Sequence, residues 1–173
     1  MAQGTRIFLI GPMGSGKTAV GRQLARQLRV PFFDSDAEIE RRTGADIPLI
    51  FEKEGEARFR EREREIIDEL TQQAPIVLST GGGAILSPES RERLHSRGFV
   101  AYLETSVAQQ AERVRSGQHR PLLTGVDPAQ RLAELMEHRE PLYRATAHIT
   151  VSTDARKVSA VADEILREYR RAV

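Results

Sequence analysis

The chain has no cysteine, which excludes disulfides, thiolate zinc sites and cysteine nucleophiles, and removes the usual clue to redox compartment. It has almost no charge imbalance: 26 basic residues stand against 25 acidic ones, for a net charge of +1. Nothing in those totals asks for nucleic acid or a membrane surface as a partner. Long hydrophobic runs are missing as well. Only a short apolar run precedes Gly11, too brief for a secretory leader or a membrane span, so a soluble cytoplasmic protein is expected. Lysine is scarce. Of the 26 basic residues only Lys17, Lys53 and Lys157 are lysine. At 173 residues the chain fits one domain and can bury a sizeable core.

One of the three lysines lies in the most informative segment. Residues 11–18 read Gly-Pro-Met-Gly-Ser-Gly-Lys-Thr, after the apolar run Ile7-Phe8-Leu9-Ile10 and before an amphipathic stretch. This is the G-x-x-x-x-G-K-[ST] phosphate loop in its strand–loop–helix setting. The glycines let successive N–H groups turn inward onto phosphate oxygens, Lys17 adds a compact charge, and the Thr18 hydroxyl suits Mg²⁺. The helix that follows points its positive end at the same anion. An arginine-rich chain that keeps lysine here uses the ammonium where a planar guanidinium would fit poorly. The segment predicts a nucleoside triphosphate site.

Strand-like and helix-like segments alternate along the rest of the chain. Strands are expected at residues 6–10, 31–34, 76–79, 99–103 and 148–151. Helices are expected at 17–29, 38–43, 47–54, 56–72, 88–96, 107–115, 128–143 and 155–170, with Gly55 separating the third from the fourth. Such alternation implies a parallel sheet covered on both faces, with the active site beyond the carboxyl ends of its strands. The phosphate loop, Asp34-Ser35-Asp36, Gly81-Gly82-Gly83 and Glu104-Thr105 follow the strands and are expected to converge on one crevice. Segments near 35–60 and 116–125 break the alternation and read as insertions around it.

Asp34 and Asp36 lie two apart at a strand end, so in an extended chain both project to one side. The strand Ile76-Val77-Leu78-Ser79 carries no acid, which leaves Asp34 to hold the water shell of a nucleotide-bound Mg²⁺. Asp36 is then available to an acceptor hydroxyl, or else it caps the following helix. The three glycines form a flexible turn or a backbone approach to ligand. Arg58, Arg60, Arg62 and Arg64 alternate with glutamates and read mostly as a solvated helix face, with Arg60 set apart by the apolar Phe59 beside it. Arg120, in Arg120-Pro121-Leu122-Leu123 between Gly117 and Gly125, suits a closing loop that reaches a phosphoryl group. On its own pattern Arg139 reads as a solvent residue.

Taken together these motifs resemble shikimate kinase over nearly the whole chain: GPMGSGKT, Phe33-Asp34-Ser35-Asp36, Gly55-Glu56 with Phe59-Arg60, Ser79-Thr80-Gly81-Gly82-Gly83, Arg120-Pro121-Leu122-Leu123, and Arg139 with Pro141-Leu142-Tyr143. The resemblance implies ATP-dependent phosphorylation of the 3-hydroxyl of shikimate, a step toward chorismate and the aromatic amino acids. It implies a single P-loop NTPase-type domain over 1–173, a three-layer sandwich like the nucleoside monophosphate kinases. Its five-stranded parallel sheet would have order 2-3-1-4-5, a substrate-binding insertion near 34–61 and a lid near 113–125. By the same resemblance Gly14, Ser15, Gly16, Lys17, Thr18 and Ala19 bind the nucleotide, with Arg113 and Arg156 flanking adenine and Arg120 reaching the phosphates. Asp36 binds acceptor hydroxyls, Arg60 and Arg139 hold the carboxylate, and Gly82 adds a backbone contact. Thr18, and Asp34 through water, serve Mg²⁺. Lys17, Asp36 and Arg120 are the expected catalytic groups.

The other reading within this architecture is a gluconate or nucleoside monophosphate kinase, although residues 35–60 supply no obvious base-reading pocket. A GTP-dependent switch would carry an N-K-x-D motif, which is absent. The expected partner is a small organic acid, with no nucleic acid or membrane, and the expected state is a monomer.

Overall fold

The computed structural model describes residues 2–115, 125 and 127–173. Strands β1 (Arg6–Ile10), β2 (Phe32–Asp34), β3 (Ile76–Ser79), β4 (Phe99–Glu104) and β5 (Ile149–Ser152) form one parallel sheet of order β2-β3-β1-β4-β5. The central strands β1 and β3 are apolar over Ile7–Ile10 and Ile76–Leu78 because both of their faces are buried there.

Period-two alternation divides the core into two layers. Phe8, Ile10, Ile76, Leu78, Val100 and Tyr102 face one side. There they meet α3 (Ile47–Leu70), α4 (Pro88–Arg97) and α6 (Pro128–Thr146) through Phe59, Ile67, Leu94 and Tyr143. Ile7, Leu9, Val77, Ala101, Leu103 and Val151 face the other side. That layer is closed by α1 (Lys17–Leu28) and α7 (Val158–Ala172), through Val20, Leu24, Val161 and Ile165. The inner residues expected for the long charged helix, Phe59, Ile66, Ile67 and Leu70, are all buried.

Two local features shape the cleft. Helix α2 (Ser35–Thr43) starts three residues earlier than its apolar pattern suggested. Asp34 is its cap: Oδ1 accepts from the Ala37 N–H at 3.1 Å. Asp36 therefore sits in the first helical turn, and the expectation that both aspartates project from one extended strand is wrong. Gly55 has φ 84° and ψ 167° inside α3, a conformation that only glycine adopts without strain. It bends the helix between 47–54 and 56–70. Helix α5 (Val107–Arg115) follows β4. No described helix is long and apolar enough to cross a membrane.

Candidate active site

The phosphate loop joins β1 to α1 at the carboxyl end of the sheet. Gly14 and Gly16 adopt φ of 78° and 89°, which lets the chain curl without a Cβ in the way. Lys17 is only 8 % exposed, and its Nζ donates to the carbonyls of Gly11 at 2.7 Å and Pro12 at 2.9 Å. The loop therefore holds its own ammonium through its own carbonyls. Beside it the Thr18 hydroxyl donates to Asp34 Oδ2 at 3.0 Å, so a hydroxyl and a carboxylate share one edge of the loop. That all-oxygen pair fits a hard cation such as Mg²⁺.

A cavity of about 770 Å³ opens over this loop and takes in Gly14, Ser15, Gly16, Lys17, Thr18 and Ala19. Arg113 and Arg156 border its outer part. Arg113 donates to the Gly14 carbonyl at 2.7 Å, and Arg156 is held by Glu164 and by the Ser152 carbonyl at 3.0 Å. Thr153, Val158 and Val161 complete that end. Glu104 and Thr105, expected in the same crevice, do not line the cavity. Arg144 on α6 covers the Glu104 carboxylate, and the Thr105 hydroxyl is buried against that of Thr153. Sequence order alone could not show that α6 folds back over this strand end.

A second, smaller cavity of about 80 Å³ lies on the β2 side, and it brings Arg60, Glu63 and Arg139 to the glycine turn after β3. That turn is tied down from both sides. The Gly81 N–H donates to Ser35 Oγ at 3.0 Å, and Thr80 Oγ1 donates to the Leu9 carbonyl at 3.0 Å. An alanine Cβ at Gly81 would fall 2.7 Å from Asp36 Oδ1 and 2.9 Å from Glu63 Oε2. Two carboxylates thus converge where the missing side chain leaves room. At Gly83 a Cβ would fall 2.4 Å from Arg60 Nη1.

Arg139 is 5 % exposed, so its reading as a solvent residue is corrected: the turn of α6 that carries it faces inward. The alternating charges of α3 are also not all solvated. Glu63 is 3 % exposed and accepts from Arg60 Nη1 at 2.9 Å. Burial pushes the Glu63 carboxyl above the ordinary carboxylate range, while Arg60 and Arg139 pull the other way. Sequence reasoning passed over Glu63. Its only local signal is the i,i+3 spacing from Arg60, shared by many surface pairs. Arg120 and the rest of 116–124 lie outside the described residues.

The two cavities adjoin. Met13, Asp36, Gly81 and Gly82 border both, so Asp36 stands at the junction of a phosphate-loop site and an arginine-lined pocket. The comparisons agree with that geometry: the shikimate kinase family model matches residues 13–170. The chain belongs to the shikimate kinase family. It is therefore an enzyme of the kinase class with ATP as co-substrate.

The shikimate kinase of Thioalkalivibrio sulfidiphilus is 52% identical over 98% of this chain and 90% of its own length. That of Actinobacillus succinogenes is 53% identical over 96% and 95%. Among solved structures, shikimate kinase from Acinetobacter baumannii in complex with shikimate superposes with a TM-score of 0.93 at 49% identity, covering 96% of this chain and 93% of that one. A gluconokinase from Sinorhizobium meliloti reaches a TM-score of 0.63 at 20% identity, covering 99% and 95%, which is a likeness of fold alone.

Proposed function

We propose that this enzyme transfers the γ-phosphoryl group of ATP to the 3-hydroxyl of shikimate at the junction of the two cavities. The observation that carries the reading is the position of Asp36, which borders both the phosphate-loop cavity and the pocket of Arg60 and Arg139. Shikimate is a small carboxylate with several hydroxyls. Two guanidinium groups suit its carboxylate through charge-assisted bonds, and an aspartate accepts from a hydroxyl. Gly82 borders the same pocket and is assigned a backbone contact.

In the proposed division of labour, Gly14 to Ala19 hold the polyphosphate, Lys17 neutralises charge on the transferring group, and Arg113 and Arg156 flank the base. Asp36 orients the acceptor oxygen and is placed to take its proton as the oxygen bonds to phosphorus and the β–γ bridging bond breaks. Little covalent chemistry is asked of the protein, so positioning and charge neutralisation dominate. Thr18 and Asp34 are the residues suited to hold Mg²⁺, which supplies further charge neutralisation at the phosphates. Arg120 is assigned to the same phosphates from the lid segment. We assign the enzyme a monomeric state and a place in the cytoplasm.

The test is a coupled ADP assay with ATP, Mg²⁺ and one acceptor at a time. Shikimate alone should sustain turnover, and chelation of the metal should stop it. Comparable rates with gluconate or a nucleoside monophosphate would overturn the assignment.

A further inference from the structure

We propose that Tyr143 is a positioning residue for the acceptor site: its hydroxyl pins the peptide between Gly82 and Gly83 in one orientation. The inference rests on the reading of Gly82 and Arg139 as acceptor-binding groups. Tyr143 is completely buried, and its Oη donates to the Gly82 carbonyl. Its ring stacks on Tyr102 with centroids 5.0 Å apart and planes 13° from parallel. Tyr102 is held in turn, because its hydroxyl donates to Glu140 on the same helix as Tyr143. The phenol therefore has no freedom to swing away. Burial also pushes the Tyr143 hydroxyl upward, so it remains a donor throughout the working pH range.

The peptide it holds needs such a restraint. With no Cβ on either flanking residue, the plane between Gly82 and Gly83 meets little steric resistance to rotation. In a trans peptide the N–H points opposite to the carbonyl. Holding the Gly82 oxygen on the Tyr143 side therefore aims the Gly83 N–H to the opposite side. Arg139 lies four residues before Tyr143, on the same helical face, and its guanidinium also engages the Tyr143 hydroxyl; a Cβ on Gly82 would fall 3.6 Å from its Nη1, so the one hydroxyl orients the peptide and steadies the arginine beside it. One turn of α6 thus carries Arg139 and fixes the orientation of a peptide whose two glycines both border the same pocket.

Tyr143→Phe deletes only the hydroxyl and keeps the ring in its stack, so the fold should persist. We expect the shikimate KM to rise roughly ten-fold, the equivalent of one buried hydrogen bond, with kcat and the ATP KM each within about two-fold. A purely structural role would lower the melting temperature and leave both KM values unchanged, and that result overturns the proposal. So does a parallel rise in both KM values. Arg139→Ala is measured alongside. If it fails to raise the shikimate KM, the acceptor-pocket reading itself falls. If it raises that KM and Tyr143→Phe does not, only the role of Tyr143 falls.

Discussion

Replacing Gly83 by alanine probes the proposed carboxylate clamp without replacing any charged side chain. The backbone there, φ −95° and ψ 5°, accepts an L side chain, so no conformational strain is introduced. The steric consequence is specific. The new Cβ would lie 2.4 Å from Arg60 Nη1, 2.6 Å from Nη2 and 2.7 Å from Cζ, against an ordinary contact of about 3.5 Å. The guanidinium must retreat by about 1 Å. Its bond to Glu63 is 2.9 Å long, so a shift of that size displaces the guanidinium from the position this bond defines. Arg60, aimed by Glu63 and more weakly by Glu56, is then misplaced, and on the proposed reading the acceptor loses a charge-assisted hydrogen bond worth about 1.5–3 kcal/mol. The shikimate KM should rise roughly 10- to 150-fold. The ATP KM should hold, because neither Gly83 nor Arg60 borders the nucleotide cavity. Initial rates in the coupled ADP assay, each substrate varied at saturation of the other, measure both. A shikimate KM within two-fold of the parent, or an ATP KM rising in step, would refute the argument.

Three further outcomes are expected. Asp36→Asn should abolish turnover while calorimetry still records Mg·ATP binding, and near-normal kcat would remove Asp36 from its role. Arg139→Ala should raise the shikimate KM by about 100-fold, equivalent to about 3 kcal/mol, with little change for ATP; equal effects on both substrates would argue against a carboxylate clamp. Glu38 concerns stability. The hydrogen bond from Arg41 holds its carboxyl below the ordinary 4.5, so its contribution is present above that pH and is lost as pH falls through the folded-state value. Glu38→Gln should lower the melting temperature at pH 7, because Glu38 is buried and accepts from both Arg41 and Arg42. The gap should narrow progressively as pH falls below 4.5 in thermal unfolding; a gap independent of pH contradicts the assignment.

The legibility of this protein in its residue order follows the range of the interactions concerned. Strand and helix periodicities are local, and the five strands and their carboxyl-end loops could be placed from them. The parallel, doubly covered sheet follows from that alternation, while its 2-3-1-4-5 order came from family resemblance. The N-terminal boundary of α2 was missed because a cap is decided by one side chain, Asp34, whose two oxygens are divided between the Ala37 N–H and Thr18. The crevice was overdrawn at β4, where Arg144 closes over Glu104.

Residue order alone settled the phosphate loop, since all of its donors are contiguous and a curled main chain needs nothing from elsewhere. It also settled which segments alternate. It could not settle which of many arginines and glutamates are withdrawn from water. Arg60, Glu63 and Arg139 became a pocket only when α3 and α6 packed against one face of the sheet and met at the glycine turn. Burial is a property of contacts between distant segments, and a helix pattern rich in charge carries no local sign of which turn faces inward.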